Sequence, residues 1–411
     1  MNAGQDVYFC TMNRADYQQI TDSDKAFIEQ HRHDDVKKLA LTLAKRHDIH
    51  RDVVLTQISG RQAIEKKIPS WHACQQLLFP PHLSLEQSSS ELTARYKASL
   101  CKGESLTDLT GGFGVDFAFM AVGFQKCSYV EQQELLCFLA NHNFKALGLQ
   151  HAEIFNTNTI DFLNTMQPQS WVYIDPARRS ASGGKTVLLT DCQPDITAIY
   201  DELLSKTTAL IVKLSPMLDL SLALQGMPRT TQIHVVAVDN ECKELLFISE
   251  KEDHPQPMIH CINLSESKPL QTFSFTREEE QEAQCQHTQT IEDFLYEPNS
   301  AIMKAGAYKL VATRFGLKKL HPDSHLYTSN QKIEDFPGRI FAVDSTFGAG
   351  KNEIKQLLSS TSKANITIRN YPGSVDDLRK KLKLKDGGDN YLFVTTLSHG
   401  EKVLIKCQKA H

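Results

Sequence analysis

Between residues 100 and 250 the apolar positions fall in short runs separated by amphipathic stretches. Strands are expected at 105–109, 127–130, 152–156, 171–174, 208–213, 232–238 and 244–249, with helices between them that include 132–147 and 193–205. Such alternation predicts a mostly parallel sheet with helices on both faces. Ligands then sit at the carboxyl ends of the strands, where the strand order reverses. Before this block, residues 20 to 100 read as helical. Val36, Leu39, Ala40, Leu43 and Ala44 recur at helix spacing, and Ser88-Ser-Ser-Glu-Leu opens a further helix with good capping residues. This N-terminal helical region, 1–100, is either a substrate-binding cap or a helical brace.

After residue 250 the pattern changes twice. Residues 250 to 290 are polar, carry Pro255, Pro257 and Glu278-Glu-Glu-Gln-Glu, and read as a linker or an exposed excursion. The stretch from Tyr308 reads as an amphipathic helix ending at Gly316. His321 and His325 follow without metal-ligand partners nearby, so they are expected at the surface. Strand 339–343, helix 350–359, strand 365–370, helix 374–383 and strands 391–396 and 402–407 then make β-α-β-α-β-β, closed by a turn at His399-Gly400. The expected divisions are 1–100, 101–252, 253–330 and 331–411.

With 411 residues the chain should hold two or three domains. A net charge of −4 excludes a protein that is basic throughout, and no apolar run is long enough for a membrane span. The N-terminus has no signal-peptide layout. Ten cysteines without one C-x-x-C pair argue against a zinc or iron–sulfur site and for reduced thiols in a cytoplasm. Charge is nonetheless segregated. The C-terminal block carries Arg379, Lys380 and Lys383 among many other cations, which suggests a phosphate-facing surface. A solvated helix face is the plainer reading of those three residues.

The chemistry centres on Ser105-Leu-Thr-Asp-Leu-Thr-Gly-Gly-Phe-Gly-Val-Asp116. A β-type run leads into Asp108, a glycine turn follows at Gly111, Gly112 and Gly114, and helical spacing begins at Val115. A dinucleotide fingerprint wants G-x-G-x-x-G, but position 117 is Phe. A second acid, Glu131, ends the next apolar run, where it can accept hydrogen bonds from a ribose diol. This resembles class I methyltransferases that use S-adenosylmethionine (SAM), whose acid-x-Gly-x-Gly-x-Gly turn holds the amino-acid part of SAM. Thr110 stands here for the first glycine. The resemblance implies that Asp161 contacts adenine; an exposed helix-capping role for Asp161 reads equally well.

The fourth strand ends in Ile174-Asp175-Pro176-Ala177-Arg178-Arg179, followed by a loop-like Ser182-Gly-Gly-Lys185. It resembles the acid-Pro-Pro-aromatic motif of amino-methyltransferases, with Ala177 for the second proline and Arg178 for the aromatic. In that chemistry Asp175 accepts a hydrogen bond from an exocyclic amine, and the backbone of Pro176 to Arg178 orients the base. Lys97, Asp175, Lys213 and Glu244 also resemble, in that chain order, the Lys-Asp-Lys-Glu tetrad of ribose 2′-O-methyltransferases. Lys213 would then be the base. Carbon methylation usually needs a cysteine nucleophile in the cleft, and none follows Asp175-Pro176.

The whole layout is similar to a Bacteroidetes family of methyltransferase-like proteins with a central SAM domain, a small ferredoxin-like insert and a C-terminal THUMP-like domain. The likeness rests on Asp108-Leu-Thr-Gly-Gly-Phe-Gly-Val-Asp, Tyr173-Ile-Asp-Pro-Ala-Arg-Arg, Tyr296-Glu-Pro-Asn-Ser-Ala-Ile-Met-Lys-Ala-Gly and Phe336-Pro-Gly-Arg. It implies an α/β fold: a Rossmann-like class I methyltransferase domain with an N-terminal helical region and a C-terminal α+β THUMP-like domain. THUMP domains accompany RNA modification, so structured RNA, tRNA or rRNA, is the implied partner. A small-molecule methyltransferase and a non-catalytic SAM- and RNA-binding module are the alternatives.

Overall fold

In the computed structural model residues 12–44, 46–178, 189–251 and 256–410 are described. The chain divides into two compact units. The first comprises Met1–Thr231 and Leu246–His254, the second Gln232–Leu245 and Pro255–His411.

The first unit opens with seven helices: α1 (Arg14–Gln18), α2 (Asp22–Gln30), α3 (Val36–Leu43), α4 (Arg51–Ile64), α5 (Pro69–His72), α6 (His82–Gln87) and α7 (Glu91–Leu100). Their starts follow from capping chemistry. Asn13 and Thr21 form reciprocal capping boxes with Asp16 and Asp24, and Ser90 caps α7 by accepting from Thr93 N–H. Phe27, Leu39, Leu43, Ile49, Val54 and Ile58 build one core among α2, α3 and α4.

A sheet-and-helix alternation follows: β1 (Ser105–Asp108), α8 (Val115–Ala121), β2 (Lys126–Glu131), α9 (Glu134–Ala146), β3 (Ala152–Asn156), α10 (Thr159–Thr165), β4 (Gln169–Ile174), α11 (Ile196–Ser205), β5 (Thr207–Leu214) and α12 (Leu220–Gly226). The strands run β5-β4-β1-β2-β3 and every neighbouring pair is parallel. The order therefore reverses between β1 and β4. Tyr17 and Val53 from the N-terminal helices pack against Leu136 and Leu139 of α9, so those helices brace the sheet's helical layer.

Strand β6 (Gln232–Val238) belongs to the second unit, and β7 (Glu241–Glu250) begins in the second and finishes in the first. The second unit continues with β8 (Met258–Leu264), β9 (Gln271–Phe275) and α13 (Arg277–Glu282). β8 pairs parallel with β6 and antiparallel with β9. The expected linker at 250–290 is thus corrected: much of it is sheet. Buried Ile259, Cys261, Phe273 and Phe275 alternate with more exposed, mostly polar residues, the period of a strand with one face covered.

Then come β10 (Phe294–Pro298), α14 (Ser300–Ala305), α15 (Leu310–Arg314), β11 (Lys318–Lys319), β12 (Tyr327–Ser329), β13 (Gly338–Gly348), α16 (Lys351–Ser360), β14 (Asn365–Ile368), α17 (Val375–Leu382), β15 (Tyr391–Thr396) and β16 (Lys402–Lys409). They form a seven-stranded sheet ordered β11-β12-β10-β13-β16-β15-β14. Leu392, Val394 and Leu404 join the core under α16 and α17, while Phe393, Val403 and Ile405 point into the opposite core. Both faces are covered, as the period of two requires.

Candidate active site

The glycine turn lies at the carboxyl end of β1. Thr110 N–H donates to Asp108 Oδ1 at 2.9 Å. Gly112 N–H donates to Glu131 Oε2 at 2.9 Å, and Gln133 N–H to Oε1 at 2.8 Å. Glu131 thereby straps the turn to the end of β2, using one lone pair of each oxygen. Tyr129 closes the turn from below by donating to the Gly112 carbonyl. A Cβ at position 111 would come within 2.1 Å of the Tyr129 ring, and Gly112 has φ +57, so both glycines are dictated by geometry. Thr110 has a use that a glycine could not serve: its Oγ1 accepts the Asp175 N–H at 2.7 Å, tying β1 to the end of β4. Burial raises the pKa of Asp108 well above the carboxylate range, and Asp116, Asp175 and Glu131 add to it.

At the neighbouring strand ends, Lys213 Nζ donates to Asp175 Oδ2 at 2.6 Å. Lys213 also lies 3.5 Å from Asp116 Oδ2, and the fully buried Lys97 Nζ is 3.2 Å from Asp116 Oδ1. Tyr173 and Ser89 hydroxyls donate to Asp116 Oδ2 at 2.7 and 2.8 Å. Ser89 Oγ in turn accepts from Lys97 at 3.2 Å and Lys213 at 3.4 Å. Burial would raise the Asp116 pKa, but the two lysines and the two hydroxyls hold it below the usual range. Asp175, with its side chain 38% exposed, is the outward end of this chain of charges.

A comparison with solved structures settles the family. A crystal structure described as a "putative methyltransferase" from Porphyromonas gingivalis W83 is 34% identical, with a TM-score of 0.85, covering 95% of this chain and 98% of that one. The chain belongs to that methyltransferase family. Within the family's architecture, residues 294–337 match a ferredoxin-like domain and residues 338–409 a THUMP-like domain. The two matched regions of this methyltransferase share one sheet, because β10 pairs antiparallel with β13. Two shorter matches are distant. One is a putative methyltransferase from Streptococcus mutans in complex with SAH (14% identity, 39% of this chain and 97% of that chain, TM-score 0.30). The other is the Thermus thermophilus 16S rRNA N2 G1207 methyltransferase in complex with AdoMet and guanosine (15%, 41% and 43%, TM-score 0.31). A comparison with curated proteins finds no match.

Of the residues the sequence singles out, Thr110, Gly112 and Glu131 are joined by the turn, and Lys97, Lys213 and Asp175 by Asp116. Pro176 follows Asp175 directly and is buried. Glu244 is buried on β7 in the second unit. Asp161 is exposed on the first turn of α10, where it accepts from its N-cap Asn158 at 2.6 Å. Ala177–Arg178 forms a short ladder with Cys192–Gln193, while the Arg178 side chain, Arg179 and Ser182 to Lys185 lie outside the described residues. Asp116, Ser89 and Tyr173 were missed. The one signal available was that Asp116 closes the glycine stretch, one step into α8. In this methyltransferase Lys380 and Lys383 are exposed at the end of α17, while Arg379 pairs with Asp386 at 2.6 Å. His325 departs from the surface placement expected of it: its ring stacks on Tyr308 at 3.6 Å. Among the described residues no cluster could hold a metal ion, and no helix is long and apolar enough to cross a membrane.

Proposed function

We propose that the chain is a SAM-dependent methyltransferase acting on structured RNA. One observation carries the reading: a strapped glycine turn and an Asp175–Lys213 pair meet at the carboxyl ends of β1, β4 and β5, where the strand order reverses. The donor set fits the cofactor. Glu131 keeps a free lone pair on each oxygen for a ribose diol, and the outward side of Gly112 meets nothing nearer than the Thr110 carbonyl at 3.8 Å. Asp108, Thr110, Gly111, Gly112 and Gly114 would hold the amino-acid end, Glu131 the ribose and Asp161 the adenine. When bound, SAM supplies an activated methyl on a sulfonium centre.

The chain's own task is to present the acceptor in line and take up its proton. Asp175 is the exposed carboxylate of the pair, so it receives the N–H or O–H of the acceptor. Lys213, anchored behind it by Asp116, fixes the carboxylate's direction. This arrangement favours an exocyclic amine, oriented by Pro176 to Arg178, over a ribose hydroxyl deprotonated by Lys213. The RNA half of the reading rests on the THUMP-like match and on charge: residues 338–409 hold thirteen Lys and Arg against seven acids in a chain of net charge −4.

The test is incubation of the purified protein with labelled SAM and total RNA from a strain lacking the gene, followed by nucleoside mass spectrometry. Label is expected in one modified nucleoside. Calorimetry should show SAM binding that Gly112→Val abolishes, since a β-branched residue is strained at φ +57. Tight NAD binding without SAM binding would overturn the cofactor, and label confined to small molecules would overturn RNA.

A further inference from the structure

The signature strings around Tyr296 and Phe336 contribute nothing to the site above, yet they build a second charged centre. Glu297 of β10 has its side chain only 2% exposed, and two arginines close on it. Arg339 of β13 donates from Nε to Oε2 at 2.8 Å and from Nη2 to the same oxygen. Arg369, just past β14, donates to Oε1 from Nε at 3.2 Å and from Nη2 at 2.8 Å. A guanidinium has five N–H donors in a planar fork. Each arginine therefore keeps its Nη1 edge, and among the described residues neither Nη1 has a hydrogen-bond partner. The two side chains are 36% and 37% exposed.

One arginine would neutralise Glu297. The second leaves a positive charge beside the first, and burial together with Lys319 and Arg369 keeps the nearby His325 neutral. Lys319 is buried 5.5 Å over the Tyr308 ring and donates to the Pro322 carbonyl. His325 sits at φ +53, and its buried Nδ1 has no hydrogen-bond partner among the described residues. A surplus cation with free planar donors is the arrangement that a phosphate completes with charge-assisted hydrogen bonds.

We propose that Arg339 and Arg369 form a clamp for a phosphate group, that of an RNA strand on the reading above, with Glu297 as the buried post that aims both guanidiniums. The proposal rests on that reading for the source of the phosphate, not for the clamp.

The experiment uses the full chain, a fluorescently labelled RNA hairpin titrated at several salt concentrations, and sodium pyrophosphate followed by calorimetry. Arg339→Lys and Arg369→Lys keep a charge against Glu297 but remove the Nη1 edge. Each is expected to weaken RNA binding about tenfold and to lower the salt slope by about one. Glu297→Gln puts an amide N–H2 where one arginine now finds an acceptor oxygen, so it misaims that guanidinium and is expected to weaken RNA binding as well; it also serves if a lysine variant melts early. Wild-type affinity and slope in all three folded variants would overturn the clamp while leaving RNA binding intact. Arginine-dependent pyrophosphate binding without RNA binding would support the clamp and overturn RNA as its source. Binding of neither probe to the wild type would overturn both.

Discussion

Asp116 in the first unit and Glu297 in the second each lie buried between two cations, yet they present opposite charges outward. Asp116 is held by lysines, which are compact point charges, and by the Tyr173 and Ser89 hydroxyls. Lys213 then reaches on to Asp175, so the exposed end of the series is a carboxylate. Glu297 is held by arginines, whose forks satisfy it and still have an edge left over. The exposed end there is cationic. On the readings proposed above, the first arrangement would receive a hydrogen-bond donor such as an amine or hydroxyl, and the second an anion. The choice of lysine or arginine around an otherwise similar acid decides which.

The sharpest way to break this contrast is at Asp175. Asp175→Ala should lower single-turnover methyl transfer by about 10²–10⁴ while SAM affinity measured by calorimetry stays within about twofold. Lys213→Met should follow it only if Lys213 is itself the base. A near-normal rate with an unchanged pH profile would rule out Lys213 as the base and with it a ribose-hydroxyl acceptor.

Next in size is the cost of breaking the buried pair. Lys97→Met removes a fully buried ammonium and leaves Asp116 with one lysine fewer, so chemical denaturation should show a loss of about 3–5 kcal/mol. A loss under about 1 kcal/mol would mean that Lys213 and the hydroxyls suffice.

Acid should separate the units. In the second, burial and the nearby His260 push His234 down to about 3; burial, then Lys319 and Arg369, push His325 to about 4. These rings stay neutral when folded, so their stabilisation is complete above the unfolded value near 6.5 and declines as pH falls toward the folded values. For His234, 4% exposed, the decline is up to about 1.4 kcal/mol per pH unit. In the first unit Asp24 is governed by burial, which raises its pKa, and by hydrogen bonds from His50 and Thr21, which together outweigh burial and bring it to about 2. Its contribution holds above 3.8 and is lost only between 3.8 and about 2. Hydrogen exchange at falling pH should therefore show the second unit loosening first, and His234→Gln should flatten that response.

The smallest effect is expected at α17. Reversing Arg379, Lys380 and Lys383 to glutamate should weaken RNA binding by less than about tenfold and flatten its salt slope, leaving SAM affinity unchanged. Unchanged RNA affinity would make these residues a capped helix end, whose cations favour the C-terminal dipole.

The turn was legible because its constraints are local: glycines at a strand end, an acid at the next, and a helix after. The mostly parallel sheet followed from alternation, and the C-terminal β-α-β-α-β-β pattern appears within one or two residues of the expected bounds, except that its first strand runs on to Gly348. What escaped was assembled at long range. Asp116 gathers partners from positions 89, 97, 173 and 213, and Glu297 takes arginines 42 and 72 residues away. No spacing rule links such residues. The strands at 258–275 were hidden for another reason: His260, Asn263, Gln271 and Ser274 dilute the apolar alternation with polar residues that face one another across the ladder, as His260 and Ser274 do at 2.8 Å.

The chain's route has a practical consequence. It leaves the first unit after Thr231, returns at Leu246, and leaves again after His254. No single cut releases both units whole. A fragment ending at 231 lacks a segment of the first unit, and one starting at 255 lacks Gln232–Leu245, which belong to the second. On the ribosome, the first unit cannot be completed until part of the second has already emerged. Fragments made for separate study therefore need a grafted strand or a circular permutation.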